Sequence, residues 1–157
     1  MVRYKNRYFV TELELRDRPP HAPISITNNR LRNCIFNKVG EIHGDFGVAA
    51  ITTGFRIKYC NPCTKIVLIR CRHGPHRIVG TVLPLIKVVD DHKVQFNLLH
   101  VGSTIKKSFK FIRNHQLRTL ETYWNKMKTD KDRMQIKDLI NDIDIMTEFN
   151  KSQKEDN

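Results

Sequence analysis

The constraint that most narrows the fold is the way the hydrophobic period of the chain alternates between that of a strand and that of a helix. Residues 7–15 alternate, with Phe9, Leu13 and Leu15 on one side and Glu12 and Glu14 on the other. Past a Pro-rich connection (Pro19, Pro20, Pro23), Leu31, Cys34, Ile35, Val39 and Ile42 recur at helical spacing, and Gly44 suits the cap that ends the helix. From Phe46 to Tyr59 the period returns to two, with Phe55, Ile57 and Tyr59 against Arg56 and Lys58. Asn61-Pro62 marks a turn before the β-rich run Ile66–Cys71, which is apolar enough for a central strand. Pro75 fits the first turn of a second helix carrying Ile78, Val82 and Ile86, and Pro84 ends or kinks it. After the polar turn at Asp90, Asp91 and His92, residues Val94 to Val101 read as a fourth strand.

This order, β-α-β-β-α-β, predicts an α+β fold: a ferredoxin-like, RNA-recognition-motif-like sandwich of antiparallel strands with two helices on one face. Two additional C-terminal helices follow. The first has Ser103 or Thr104 as N-cap and a buried stripe at Ile105, Phe109, Ile112, Leu120 and Trp124. The expected organisation is one α+β domain over 1–126 that includes this third helix, an amphipathic helix within 127–149, and a disordered tail over 150–157.

Charge says what such a domain would meet. Residues 1–129 hold 23 basic and 8 acidic side chains, a net +15, whereas residues 130–157 hold 5 and 8, a net −3. A folded body this basic repels itself and attracts polyanions, most often nucleic acid. No apolar run reaches the roughly 18–20 residues that span a bilayer. The basic opening Met1–Arg7 has no apolar segment behind it, so a soluble intracellular protein is expected, with no membrane partner.

Little in the sequence could build a catalytic centre. The body's only carboxylates are Glu12, Glu14, Asp17, Glu41, Asp45, Asp90, Asp91 and Glu121, and no phosphate loop or nucleophile motif appears. A histidine- and carboxylate-dependent nuclease would have to use His43 or His100. Cys60 and Cys63, with Cys71 and His73, supply four zinc ligands by count but at an unusual spacing. A hairpin turn flanked by reduced thiols accounts for them better, so no metal is expected. Base stacking on the sheet is also poorly supported, because the third strand has no aromatic residue. An independent single-strand binder would have to stack bases on Tyr4, Tyr8 or Phe55.

Backbone recognition by charge remains. Arg3, Lys5 and Arg7 precede or enter the first strand, and Lys58, Arg70 and Arg72 come from the second and third. Lys106, Lys107, Lys110 and Arg113 decorate the third helix, whose positions 106, 110 and 113 share a face. Gly102 would let backbone approach closely, and the helix start at Ser103 and Thr104 would favour a phosphate.

Four stretches carry a family resemblance: Met1–Tyr8, His43–Ala50, Lys65–Arg72 and Leu99–Lys106. In this order, over residues 1–120, they resemble the small protein subunit shared by ribonuclease P and ribonuclease MRP, the fifth "processing of precursor" subunit, and archaeal ribonuclease P protein component two. Departures from the family pattern are Ser103 and Lys65 where glycine is usual, Lys106 where arginine is usual, and the unmatched Cys60 and Cys63. The resemblance implies a subunit without catalysis of its own, in an endoribonuclease whose RNA performs the chemistry. It implies binding and stabilisation of that RNA for tRNA 5′-end maturation and pre-rRNA processing. It further implies a nuclear and nucleolar location, a barrel-type protein subunit and other subunits as partners, and only indirect contact with precursor tRNA. No cofactor is expected on the chain itself, with Mg2+ at the RNA of the assembled enzyme.

Overall fold

The computed structural model describes residues 4–17, 26–90 and 92–124. Arg3, Asp91, the expected helix within 127–149 and the tail at 150–157 lie outside the described residues. The chain divides into two units, Met1–Ser108 and Phe109–Asn157.

In the first unit β1 (Asn6–Leu15), α1 (Asn28–Thr52), β2 (Arg56–Cys60), β3 (Ile66–Arg72), α2 (His76–Val82), β4 (Val88–Val89) and β5 (His92–Gly102) follow one another. The sheet has the order β2-β3-β1-β5-β4, and every pairing is antiparallel. Its four longer strands, β2-β3-β1-β5, keep the order expected of a ferredoxin-like sheet, and the two-residue β4 is an unforeseen addition at one edge.

Alternation decides the core. Phe9, Leu13 and Leu15 of β1, Val67, Ile69 and Cys71 of β3, and Val94 and Phe96 of β5 pack with Leu31, Ile35, Val39 and Ile51 of α1 and Val79 and Val82 of α2. Each large apolar side chain fully buried in this way contributes about 1.5–3 kcal/mol. The second face is closed at its centre too, since Val10 and Leu68 have no exposed surface and Ile66 has 2%. That burial makes the run at Ile66–Cys71 continuously apolar.

Two bulges set the faces. On β2, Ile57 pairs with Ile69 and Tyr59 with Leu68, so Lys58 is the extra residue. Phe55, Ile57 and Tyr59 therefore do not share a face as strict alternation predicts: the bulge turns Tyr59 to the side opposite Ile57. On β5, Val10 pairs with His100 and Thr11 with Leu98, which leaves Leu99 extra. That shift carries His100 and Gly102 to the face away from α1 and α2.

The largest departure from expectation is α1. Gly44 does leave the helical conformation, at φ 62 and ψ −165, but the chain then resumes a helix to Thr52 instead of starting a strand at Phe46. The reason is a row at four-residue spacing. Leu31, Ile35 and Val39 are followed by half-buried His43 and then by buried Gly47 and Ile51. A Cβ on Gly47 would lie 2.4 Å from the His43 Cβ, so the close approach needs glycine. Ile42 falls off this row and is 43% exposed, contrary to the buried position expected for it.

Turn chemistry closes the remaining connections. Asn61 Oδ1 accepts from the backbone N–H groups of Cys63 (2.8 Å) and Thr64 (3.0 Å), which makes Cys60–Cys63 a side-chain-stapled turn. Lys65 sits at φ 59, in the left-handed region. Pro84 falls in a short 3-10 turn, Leu83–Leu85, that ends α2.

The helix α3 (Ile105–Trp124) begins in the first unit and continues through the second. Thr104 is its cap, accepting from Lys107 N–H at 3.4 Å through Oγ1. Within the second unit Thr119 and Thr122 donate to the carbonyls of His115 and Arg118, both at 2.9 Å.

Candidate nucleic-acid interface

One rung of the sheet organises the basic residues of the first unit. Arg56 on β2 stands opposite Arg70 on β3, Arg70 opposite Tyr8 on β1, and Tyr8 opposite Gly102 on β5. Directly paired residues project to the same face, here the one away from α1 and α2. Three strand spacings, about 14 Å, separate Arg56 from Gly102. Ser103, Thr104, Lys106 and Lys107 follow Gly102 directly, and all four are exposed. The rung thus leads from the β2 edge to the start of α3.

The junction at Gly102 is tight. A Cβ there would stand 2.4 Å from Ser108 Oγ, and that buried hydroxyl donates to the Thr104 carbonyl at 3.1 Å. The close approach at Gly102 is to Ser108 and seats the first turn of α3 on the end of β5. Because the Thr104 cap already takes the Lys107 N–H, fewer helix-start donors remain for a phosphate than an uncapped end would offer.

Arg72 lies on the next rung, paired with Asn6, and its guanidinium stacks on the Tyr4 ring at 4.3 Å. Lys5 is exposed, and its carbonyl accepts from His73 N–H at 2.8 Å. Lys58, exposed at the β2 bulge, stands apart from the rung. Arg7 is not brought to Arg70, because its pairing with Cys71 puts it on the opposite face. There it joins His73, His76 and Arg77. The two histidine rings stack at 5.1 Å, and Gly74 N–H donates to His76 Nδ1 at 3.1 Å. Burial, then the charges of His73, Arg7 and Arg77, hold His76 below the ordinary imidazole value. In the second unit Lys110 and Arg113 are exposed on α3, three residues apart.

Spacing marks Arg56 only as the outward partner of an apolar alternation, and it does not single out Arg32, on the exposed side of α1. The signal for Arg56 was its position opposite Arg70, which needs the hairpin register.

Four of the carboxylates are engaged elsewhere. Glu14 accepts from Asn97 at 3.4 Å, and Asp17 from Lys93 N–H at 3.3 Å while it meets His92 Nδ1 at 3.4 Å. Asp90 pairs with Arg30 at 3.1 Å, and Glu41 with Lys38 at 2.6 Å. His43 Nε2 is 3.2 Å from Thr81 Oγ1, a tie between α1 and α2. No group of three or more His, Cys, Asp or Glu is gathered for a metal ion among the described residues. Cys71 is a core residue, its thiol pushed up to about 12 by burial. Phe55 is only 4% exposed, so it offers no platform to a base.

Residues 7–113 match the Rpp14/Pop5 family. Human "Ribonuclease P/MRP protein subunit POP5" is 37% identical over 124 residues, which cover 76% of this chain and 75% of that protein. The zebrafish (Danio rerio) protein of the same name is 34% identical over 146 residues, covering 89% and 85%. Among solved structures, a chain in the cryo-EM structure of yeast ribonuclease MRP aligns with a TM-score of 0.49 at 13% identity, over 78% of this chain and 98% of that one.

Proposed function

The chain belongs to the Rpp14/Pop5 family, and from that premise we propose that it is a protein subunit of ribonuclease P and ribonuclease MRP that binds and stabilises their RNA. The observation that carries this reading is the likeness to curated ribonuclease P/MRP subunits over about three quarters of both chains. Physical chemistry supports the RNA-bound part. The rung from Arg70 to Gly102 and the helix start beyond it place Arg70, Ser103, Thr104, Lys106 and Lys107 along one path. Arg72, Lys5, Arg7 and Lys58 flank it, and Lys110 and Arg113 add charge in the second unit. Arginine and lysine arrayed in this way neutralise phosphates without reading bases. The chain positions the RNA, and the RNA carries out Mg2+-assisted hydrolysis in tRNA 5′-end maturation and pre-rRNA processing. A barrel-type subunit and other proteins of the complex complete the assembly, in the nucleus and nucleolus.

Immunopurifying the protein from cells and sequencing the co-bound RNA tests this. Enrichment of both ribonuclease P RNA and ribonuclease MRP RNA is expected. Recovery of neither, or cleavage of precursor tRNA by the purified RNA-free chain, contradicts it.

A further inference from the structure

At the outer end of the rung a cleft of about 580 Å³ opens between the first turn of α1 and the β2 edge. Its walls include Asn28, Asn29, Arg32, Arg56 and Arg70, and no Asp or Glu lines it. Three arginines line it without a carboxylate, and the Arg32 guanidinium lies over the Phe36 ring at 4.3 Å. Like charges placed directly opposite one another across a strand pair are destabilising, and Arg56 and Arg70 are such a pair. Arg70 Nε is buried and has no acceptor among the described residues. A buried donor left unmade in this way is destabilising, so an anion in the cleft would remove two penalties together. Asn28 and Asn29 open α1, where the Thr27 hydroxyl takes the Arg30 N–H at 3.5 Å and the N–H groups of the two asparagines have no acceptor within the helix.

We propose that this cleft is a phosphodiester-binding pocket, in which Arg56 and Arg70 grip an RNA backbone phosphate and Arg32, with the start of α1, closes on it from the helix side. The proposal rests on the RNA-bound reading above and extends its contact path past Arg70 to Arg56 on the edge strand and Arg32 on α1. Volume fits, since sites of about 300–1,000 Å³ take nucleotide-sized groups. Chemistry fits as well, since a planar guanidinium meets phosphate oxygens in two parallel hydrogen bonds, which lysine cannot reproduce. Phe55 in the same wall is too buried to stack, so the pocket reads backbone and not base.

The test uses the full chain and a fluorescein-labelled oligouridylate of about 20 nucleotides, with anisotropy titrations across a salt series. Arg56→Gln with Arg70→Gln is expected to weaken binding about ten-fold and to flatten the plot of log affinity against log salt by about 0.7, the value for one lost single-strand phosphate contact. Arg70→Lys is expected to keep the slope but lose about three-fold in affinity, because the charge stays and the fork goes. Where the double variant does not fold, Arg32→Gln with Arg56→Gln carries the same test, both being exposed in the free chain. An unchanged slope in whichever pair folds overturns the pocket. Lys106→Gln with Lys107→Gln separates the two claims: if it flattens the slope while the arginine pair does not, the pocket fails and the RNA-bound reading stands. No binding by the unaltered chain sinks both.

Discussion

The two ends of β1 carry opposite charge and treat it differently. At the far end, Glu14 meets Asn97, Asp17 meets His92 and the Lys93 N–H, and Arg16 meets Gln95. Every charge named there has a partner within the fold. At the near end, Arg7 donates to the neighbouring Asn6 carbonyl at 3.3 Å, Arg72 lies on a ring, and Arg56 faces Arg70. None of these arginines pairs with a carboxylate among the described residues. Charge at one end is consumed in holding strands together, and at the other it is surplus. A surplus held in place by sheet register is what a polyanion-binding surface requires.

The largest expected effect lies at the seam that joins the near end to α3. Gly102→Ala drives a Cβ to within 2.4 Å of Ser108 Oγ, a buried hydroxyl already committed to the Thr104 carbonyl. Overpacking of this kind costs about 1–3 kcal/mol, read as a fall in the urea midpoint at constant slope. Ser108→Ala removes the clashing oxygen at the cost of about 1 kcal/mol for its hydrogen bond. The double variant should therefore be more stable than the sum of the singles predicts. Simple additivity would show that the seam is not what makes Gly102 necessary.

The next effect contrasts the two ends directly. Lys106→Glu with Lys107→Glu should weaken RNA binding at least ten-fold, about 1.4 kcal/mol, and reduce its salt dependence. Glu12→Lys with Glu14→Lys adds as much positive charge as the first pair removes, at the other end of the strand. Long-range attraction is screened within about 8 Å at physiological salt, so this second pair should change affinity less than two-fold. Equal and opposite effects would mean that net charge alone governs binding and that the arrangement along the rung does not matter.

How much of this arrangement sequence could disclose depended on whether the signal was local. The two periods recovered β1, β3, α2 and β5, because each buries one face whose residues are apolar. They also placed α3, although of its expected stripe Ile112 is buried while Ile105, Phe109 and Leu120 are half-buried. They failed after Gly44, where the buried row runs through His43 and Gly47, a polar residue and a side chain too small to register as apolar. They failed again on β2, because a one-residue bulge at Lys58 reverses every later side chain and leaves no local mark. The same limit governs the site. Arg70, Arg72, Lys106 and Lys107 were visible as basic residues at element ends. Arg7 was visible too, but its face was not, since a single pairing with Cys71 separates it from Arg70. Arg56 and Arg32 join the others only through hairpin register and the packing of α1 on the sheet edge, neither of which is written in spacing.

The smallest effect tests the face to which Arg7 turns. His76 sits there with His73, Arg7 and Arg77, and its burial and their charges hold it below the 6.5 of a free imidazole. Between that folded value and 6.5 the unfolded chain binds the extra proton. The stability contributed by neutral His76 is therefore present in full above 6.5 and lost as the pH falls toward the folded pKa. Protonation also opposes the Gly74 N–H that donates to Nδ1 at 3.1 Å, so the turn before α2 should loosen along with the loss. His76 is only half-buried, so solvent screening keeps the effect small. Melting followed by circular dichroism at about pH 7.5 and about pH 5.8, above the range where carboxylates titrate, should show a modest fall in Tm. His76→Asn, which can still accept from Gly74 but carries no titrating group, should abolish that fall and leave the melting of the far end unchanged. If the fall persists in the variant, the acid sensitivity belongs to another group, and the cluster around Arg7 is not the strained, cation-rich corner that its geometry describes.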